Sequence, residues 1–416
     1  MRAVAAELPD VGADPRWRDL DHLRRTSPMS DAVLDEVRGR HIRSGDHWMI
    51  DFASCNYLGF DWDPEIIEAI EPAVRRWGTH PSWSRLIGNP RLYPEIEERL
   101  TALLGAPDTL LLPTATLIHA SVIPLLAAEG HVFVEARAHK TVYDGCVSAQ
   151  GRGATLTRFH ADRPEELEGL LRAANGSGPR LVCLDGVDSM SGTSPDLPLL
   201  ARICRELGAT LYVDDTHGFG VIGERSAHET CPYGSRGNSV VRHTGESYDG
   251  IVLVGGFSKA YSSLLAFLAL PTRLKDRLKV AAGPYLYSGP SPTASLATVL
   301  AGLEVNERRG DLIRADLHRK TLRVLDHVRR LGVHTPGEQG FPIVELPLAD
   351  SADLDEVVRL LWDRGIYVTV AAYPLVPRDR VGFRIQLTAL NSDEDIDRLN
   401  DTLSLLAERS VLRPRE

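Results

Sequence analysis

The sequence predicts an α/β protein in which a large domain with a mostly parallel sheet is followed by a smaller C-terminal α+β domain. From about residue 108 to 271, short apolar runs alternate with helical patterns. Strands of four to six residues that alternate with helices are typical of βαβ units, which build parallel sheets with both faces covered. After about residue 331 the pattern changes to three strands separated by two helical segments, as expected for a second, smaller domain.

The strand patterns are apolar runs bounded by Gly, Pro or acidic residues. In order they lie at 49–53, 109–113, 131–136, 181–186, 210–215, 251–256, 265–271, 341–348, 366–372 and 382–389. Helical spacing of apolar residues predicts helices at 30–40, 63–78, 164–174, 197–207, 292–306, 312–331, 352–364 and 392–408, and another after the loop at 81–90. The predicted organisation is an N-terminal arm or helix at 1–48, a large domain at 49–305 and a small domain at 306–416, joined by a long helix.

Bulk composition narrows the class of protein. The 416 residues are 43% hydrophobic and 25% charged, with a net charge of −10, which argues against a nucleic-acid or anionic-membrane binder. The five cysteines are scattered and no HExxH motif occurs, so neither a disulfide framework nor a metal site is predicted. The apolar stretch at 110–128 is interrupted by Pro113, His119 and Pro124, and the N-terminus has no signal-like apolar segment. We expect a cytoplasmic protein with no membrane span.

One lysine stands out from its surroundings. Lys259 follows the apolar run 251–256, which is typical of a strand buried on both faces. The chain has only five lysines, and its positive charge is carried mainly by arginine. Lys259 is either an ordinary solvated lysine or a lysine that holds pyridoxal phosphate (PLP) as a Schiff base, a role that requires a nucleophilic amine and that arginine cannot fill.

Further polar residues follow the ends of predicted strands. His139, Asp185 and Asp214 share this placement with Lys259, and the carboxyl ends of parallel strands face one crevice. PLP needs a carboxylate beside its ring nitrogen, a group stacked on the ring and donors for its phosphate. Asp214 suits the carboxylate role, although a solvated turn is the alternative, and His139 is either a stacking residue or a loop residue.

The pair Asp214-Asp215 ends one of these strands. Because side chains alternate along a strand, one of the two aspartates points into the crevice and the other points away. His217 follows closely and is a candidate for a hydrogen bond to the cofactor's ring hydroxyl, with a purely structural role as the alternative.

The order of several motifs resembles the α-oxoamine synthase family of fold-type I PLP-dependent enzymes. The motifs are NYLGF, SRLIGNPRLYPEIE, AHKTVYDG, DGVDSMSG, VDDTHGFGVIG, FSKA, YSGPSP and RIQLTA, and they extend over about residues 49–405. The resemblance implies the fold-type I transferase architecture with a seven-stranded sheet in the large domain.

The resemblance also assigns roles. It implies that Lys259 is the Schiff-base lysine, Asp214 pairs with the pyridine nitrogen, His139 stacks on the ring, and His217 and Ser189 approach the ring hydroxyl. Asn56 and Arg384 match positions that hold the amino-acid carboxylate, although Arg384 as a structural ion-pair partner is the alternative. Tyr287 and Ser288 match the segment that reaches the neighbouring subunit's phosphate in the family's homodimer.

The chain departs from the family pattern at three places. Gly256 stands where the family commonly has a phosphate-binding Thr or Ser. The family's glycine-aromatic pair is replaced by Thr114-Ala115-Thr116, so we expect these residues and Ser258 to bind the phosphate. The family's glycine-rich loop is PSWSRLIGNP, in which Trp83 and Arg85 are predicted substrate-pocket residues.

The activity that the resemblance implies is a decarboxylative Claisen condensation. An amino acid and an acyl thioester, of coenzyme A or of an acyl carrier protein, would give an α-aminoketone in a homodimer with active sites at the subunit interface. A PLP-dependent aminotransferase is the first alternative and a non-catalytic partner subunit is the second. Retention of Lys259, Asp214 and His139 argues against the partner subunit, because a scaffold does not need them.

Overall fold

The computed structural model describes residues 17–176, 178–226 and 228–415. The strands of this part of the chain are β1 (Glu36–Arg38), β2 (His41–Ser44), β3 (His47–Phe52), β4 (Asp108–Leu112), β5 (His131–Glu135), β6 (Thr155–Phe159), β7 (Arg180–Asp185), β8 (Thr210–Asp214), β9 (Ile251–Gly256), β10 (Ala266–Leu270), β11 (Ile343–Pro347), β12 (Ile366–Ala371) and β13 (Gly382–Gln386). The helices are α1 (Arg18–Thr26), α2 (Pro64–Trp77), α3 (Leu92–Leu104), α4 (Ala115–Ala127), α5 (Lys140–Gln150), α6 (Pro164–Ala173), α7 (Leu197–Glu206), α8 (Val240–His243), α9 (Thr272–Ala281), α10 (Gly283–Leu286), α11 (Thr293–Arg330), α12 (Leu354–Asp363) and α13 (Asp393–Glu408).

A seven-stranded sheet forms the larger of two sheets, with the strand order β4-β10-β9-β8-β7-β5-β6. Strand β10 is antiparallel to both of its neighbours, and the ladders from β9 to β6 are parallel. All six residues of β9 are buried, as expected for a central strand with helices on both faces. The predicted α/β class with a mostly parallel seven-stranded sheet is confirmed.

The predicted element pattern is incomplete, because it omits helices such as α4, α5 and α9 as well as edge strands. Strand β6 was not predicted, because its sequence TLTRF carries polar residues and four of its five positions are exposed or half-exposed at the sheet edge. The helix predicted at 30–40 is wrong, because residues 36–44 form the β1-β2 hairpin. Gly39 lies in the hairpin turn with a φ of 58°, a conformation that glycine adopts without steric cost and that ends any helix there.

The smaller sheet combines strands from both ends of the described chain. Its order is β1-β2-β3-β12-β13-β11, and β3 lies parallel to β12 with Ile50 opposite Ile366. The strand predicted at 49–53 therefore belongs to this sheet together with the C-terminal strands. The domain boundaries at residues 48 and 305 stay a prediction.

A single helix, α11, connects the regions of the two sheets. It runs for 38 residues, whereas the sequence predicted two helices separated near Gly310. The helix continues because Gly310 makes room for the fully buried Arg314, which donates hydrogen bonds to the side chain of Asn306 and to the carbonyl of Gly220. No helix in the described part of the chain combines the length and the apolar composition that a membrane crossing requires.

The loops after β8 and β9 pack against each other at very short range. Gly220 has a φ of 85°, and a Cβ added to it would lie 2.6 Å from the Cβ of Ala260. Phe219 stacks on Tyr261 and meets Phe257 edge-on. The two loops therefore form one packed unit, and residue 220 must be glycine for both conformational and steric reasons.

We predict that Gly220→Ala lowers the free energy of unfolding by about 3 kcal/mol, because backbone strain and a close contact add. Gly208→Ala is the matched control, since Gly208 has a φ of 66° with no atom within 4 Å of the added Cβ. The control should lose only about 1 kcal/mol from backbone strain. Urea unfolding midpoints compare the two variants, and equal losses would show that the contact with Ala260 contributes nothing.

Candidate active site

The ends of three parallel strands bring the predicted site residues together. In the ladders, Asp185 of β7 lies opposite Asp214 of β8, and Asp214 lies opposite Val254 of β9. A cavity of about 250 Å³ opens at this edge of the sheet. Its lining consists of Thr114, Ala115, Thr116, His139, Thr141, Asp185, Val187, Ser189, Asp214, Thr216, His217, Ser258, Lys259, Leu264 and Leu265.

Lys259 lies in the loop between β9 and β10. The loop is closed by hydrogen bonds from the Phe257 N–H to the Leu265 carbonyl and from the Ser263 N–H to the Phe257 carbonyl, at 2.9 and 3.0 Å. Lys140, Lys275 and Lys320 form ion pairs with carboxylates. Among the described residues, no carboxylate forms such a pair with Lys259, so the lysine that lines the cavity is also free of an ion-pair partner.

The Asp214 carboxylate is held from both of its oxygens. Oδ2 lies 3.0 Å from Nε2 of His119, and Oδ1 accepts hydrogen bonds from the hydroxyl and the N–H of Thr216 at 2.6 and 3.0 Å. Burial acts to raise the pKa of Asp214, but the charge and hydrogen bond of His119 and the bonds from Thr216 outweigh it and lower the pKa well below its ordinary value. The carboxylate therefore stays ionised in the cavity wall.

Asp215 points to the opposite side of the sheet. Its Oδ2 accepts a hydrogen bond from the N–H of Val240 at 2.9 Å, at the start of α8. Burial raises the pKa of Asp215 well above its ordinary value. The alternation expected of the Asp214-Asp215 pair is present, with Asp214 facing the cavity.

No sequence pattern indicates that His119 and Thr216 take part in this arrangement. His119 appeared only as an interruption of an apolar stretch, and it is completely buried in α4 with Nδ1 2.9 Å from the Tyr212 hydroxyl. A histidine within a mostly apolar stretch of sequence is the one signal that it has a buried hydrogen-bond partner. That signal does not identify Asp214 as the partner. Thr216 lies between the predicted site residues Asp214 and His217. A threonine at this position matches no sequence motif that would indicate a role.

The two histidines predicted from the motifs both reach the cavity. The N–H of His139 donates to the Asp185 carboxylate, and its Nδ1 lies 2.8 Å from the Thr141 hydroxyl. His217 is buried with Nδ1 2.8 Å from the Tyr57 hydroxyl. Burial lowers the pKa of His139, and burial followed by the charge of Lys259 holds the pKa of His217 well below its ordinary value. Both imidazoles are therefore neutral at neutral pH.

The start of α4 forms one wall of the cavity and contributes two hydroxyl groups to it. Thr114 is the N-cap residue, and its hydroxyl accepts a hydrogen bond from the Leu117 N–H at 3.2 Å. Thr116 and Ser258 add two more hydroxyls to the lining. Free N–H groups at a helix start attract anions, so this wall is suited to a phosphate.

Several predicted site residues lie outside the cavity lining. Arg384 donates to the Ser189 carbonyl beside the cavity, and its Nε is buried without a hydrogen-bond partner in the described residues. Asn56 donates to Asp61 at 3.0 Å. Trp83 is 47% exposed and donates to the Gly88 carbonyl.

Arg85 has a structural partner in place of a substrate. It is buried, and its guanidinium donates to Glu97 at 3.1 Å and to the Leu111 carbonyl. Tyr287 and Ser288 line a separate surface cavity of about 490 Å³ beside α4, where Tyr287 is 86% exposed. The structure therefore does not bring Arg85, Trp83 or Ser288 to the cavity of Lys259.

The groups in the cavity fit PLP. Lys259 supplies an amine, Asp214 an ionised carboxylate, His139 and His217 neutral imidazoles, and the start of α4 an anion-binding wall, which together match the parts that this cofactor requires. Within the described residues, no cluster of His, Cys, Asp or Glu is able to hold a metal ion.

The chain is similar to known proteins over nearly its whole length. The sequence model of the aminotransferase class I and II family matches residues 48–403. The chain is 33% identical to the 8-amino-7-oxononanoate synthase of Chromohalobacter salexigens over 393 residues, which cover 91% of this chain and 97% of that protein. The enzyme of the same name from Pseudomonas putida is 31% identical over 402 residues, with 95% and 96% covered.

Solved structures share the fold. A variant of the serine palmitoyltransferase of S. paucimobilis superposes with a TM-score of 0.84 at 22% identity, over 94% of this chain and 96% of that chain. The 8-amino-7-oxononanoate synthase of Francisella tularensis gives a TM-score of 0.71 at 20% identity, over 87% and 97%. The family match, the sequence relatives and the shared architecture agree with the order of the motifs: the chain belongs to the α-oxoamine synthase family of fold-type I PLP-dependent enzymes.

Proposed function

We propose that the protein condenses an amino acid with an acyl thioester and releases carbon dioxide, giving an α-aminoketone. The observation that carries the proposal is the meeting of Lys259, Asp214, His139 and His217 in one cavity of a chain with full-length similarity to 8-amino-7-oxononanoate synthases. Bound PLP supplies an electron sink for the electron pair left at the amino acid's Cα.

The residues of the cavity have separate tasks in this proposal. Lys259 binds the cofactor's aldehyde and, once its amine is free, takes the Cα proton as general base. The ionised Asp214 faces the ring nitrogen and balances its positive charge. His217, oriented by the Tyr57 hydroxyl, donates to the ring hydroxyl from its other nitrogen, and His139 covers the ring face.

Different residues would hold the cofactor's phosphate and the substrate's carboxylate. Thr114, Thr116 and Ser258 bind the phosphate together with the N–H groups at the start of α4. Arg384, whose Nε is buried without a partner in the described residues, binds the substrate carboxylate, because an unpaired buried guanidinium nitrogen favours an anion. Its bond to the Ser189 carbonyl keeps the guanidinium at the cavity edge.

The condensation balances as follows. The amino acid's Cα forms a bond to the acyl carbon, the bond from that carbon to sulfur breaks, and the thiol leaves with a proton. The carboxylate then leaves as carbon dioxide, and Cα takes up a proton in its place. Holding the thioester carbonyl about 3 to 3.5 Å from Cα is the positioning that the protein must provide.

The active form in this proposal is a homodimer with active sites at the subunit interface. Leu117 and Leu125 of α4 and Tyr287 are exposed, and they line the separate surface cavity beside α4. An exposed apolar patch of this kind is typical of an interface, and a second copy of the chain is the occupant that the proposal assigns to it. The cytoplasmic location expected from the sequence stays a prediction.

The cofactor linkage is the first test. Borohydride reduction of the yellow protein should fix the pyridoxyl group on the peptide that contains Lys259, since reduction makes an imine linkage permanent. Lys259→Ala should carry no label, and the surface Lys140, which pairs with Asp144, should stay unlabelled in both proteins. Mass spectrometry of the peptides gives the answer, and a label on any other lysine contradicts the assignment.

The reaction type is tested by stoichiometry. With its amino acid and an acyl thioester, the protein should release free thiol and carbon dioxide in equal amounts, measured with a thiol reagent and with carboxyl-labelled amino acid. An aminotransferase would release neither and would leave an oxo acid. Release of thiol without carbon dioxide would support the condensation and contradict the decarboxylation.

The assembly is tested by light scattering. The protein should have twice the mass of one chain, and Leu125→Asp should shift it towards the monomer because a charge replaces an apolar contact. Leu375→Asp is the control, since Leu375 is 60% exposed in the loop after β12. A wild-type monomer that is fully active would overturn the homodimer.

A further inference from the structure

We propose that His119 and Thr216 are positioning residues that hold the Asp214 carboxylate from its two oxygens, and that Gly256 is glycine in order to admit Thr216. The inference rests on the proposed function, in which Asp214 faces the cofactor's ring nitrogen. It deepens that function by naming the residues through which this chain fixes the carboxylate.

His119 contacts Asp214 through a completely buried imidazole. Nε2 lies 3.0 Å from Asp214 Oδ2, and Nδ1 lies 2.9 Å from the Tyr212 hydroxyl. The ring meets Tyr212 edge-on, with the centroids 5.8 Å apart. Both ring nitrogens are therefore occupied, and the tyrosine hydroxyl can donate to Nδ1 or accept from it. Because an ionised carboxylate only accepts hydrogen bonds, Nε2 is the nitrogen that carries a proton towards Asp214.

Thr216 contacts the other oxygen of the carboxylate. Its hydroxyl and its N–H both donate to Asp214 Oδ1, at 2.6 and 3.0 Å. With His119 on Oδ2, the carboxylate receives three hydrogen bonds and cannot rotate without breaking at least one. Three donors also offset the burial that otherwise raises the pKa of Asp214.

Gly256 makes the position of Thr216 possible. Asp214 lies opposite Val254 in the β8-β9 ladder, so residues 216 and 256 are neighbours just beyond it. A Cβ at residue 256 would lie 2.6 Å from Cγ2 and 3.1 Å from Oγ1 of Thr216. A side chain at residue 256 and the Thr216 methyl group therefore exclude each other. The hydroxyl residue expected at position 256 from the family pattern is absent, and Thr216 fills that space.

Matched substitutions separate hydrogen bonding from packing. Thr216→Val and His119→Met keep the volume and remove the donor, whereas Thr216→Ser and His119→Gln keep a donor. We expect the Val and Met variants to lose about tenfold or more in kcat and in PLP affinity, since a hydrogen bond to a charged group is lost. The Ser and Gln variants should recover most of both losses.

Three measurements are made on each variant: PLP affinity of the apoprotein by fluorescence, kcat, and the melting temperature of the apoprotein. The melting temperature of the apoprotein should fall only modestly in the Val and Met variants, in which the buried carboxylate loses one donor, and the losses in PLP affinity and kcat should exceed that fall. Equal losses in the donor-keeping and donor-lacking variants, or a loss that follows the melting temperature alone, would overturn the positioning role.

The Gly256 part of the inference is tested by a double-mutant cycle. Gly256→Ala should weaken PLP binding about tenfold or more in the wild-type background, because the new methyl group displaces Thr216. In the Thr216→Ser background the same change should cost little, since serine lacks the Cγ2 atom that lies closest. An equal loss in both backgrounds would show that Gly256 serves another purpose.

Asp214→Asn distinguishes failure of the inference from failure of the proposed function. If this variant keeps wild-type turnover, Asp214 does not face the ring nitrogen and the proposed function loses its carboxylate. If Asp214→Asn loses turnover while Thr216→Val and His119→Met do not, the proposed function stands and only the positioning roles are rejected.

Discussion

The alignment of the carboxyl ends of β7, β8 and β9 is the constraint on which the rest of the site depends. These strands are apolar and buried along most of their length, so polar side chains are tolerated only where the strands end. The ladder places Asp185 beside Asp214, and β9 ends two residues beyond Val254, where the Lys259 loop follows. Backbone hydrogen bonds, which no side-chain change removes, thus fix the spacing between the carboxylates and the lysine.

Within that frame, two neighbouring carboxyl groups have opposite properties. Burial, followed by the charge of Asp214, raises the pKa of Asp185 well above its ordinary value, whereas the pKa of Asp214 is lowered by His119 and Thr216. The difference lies in the donors: Asp214 receives bonds from two side chains and an N–H, while Asp185 receives, from the residues that the structure describes, only the His139 N–H. One carboxylate beside the cavity therefore keeps its charge, and separating the charge states of paired acids in this way is what catalytic sites require.

The parts of the fold and site that could be predicted are those marked by a local pattern along the sequence. Buried strands such as β9 are continuous apolar runs, and the position of Lys259 at the end of one follows from reading that run. The β1-β2 hairpin and β6 lack such a run, because edge strands alternate with polar residues. His119 was missed for a different reason: its partner Asp214 is 95 residues away, and only the docking of α4 on β8 shows the contact. Arg85 lies outside the cavity lining and pairs with Glu97, a pairing that the loop motif does not reveal.

Two arginines from outside the larger sheet contact the loops of the site: the buried Arg314 of α11 and the half-buried Arg384 of β13 in the smaller sheet. Arg314 of α11 donates to the Gly220 carbonyl and so supports the loop that carries His217. Arg384 of β13 donates to the Ser189 carbonyl, in the loop that follows β7. Each arginine therefore donates a hydrogen bond to a carbonyl of a loop that contributes residues to the cavity. A substrate carboxylate bound by Arg384 would therefore lie between a wall fixed by the parallel strands and a side chain presented by the second sheet, so that substrate binding and cofactor binding draw on different sheets of the same chain.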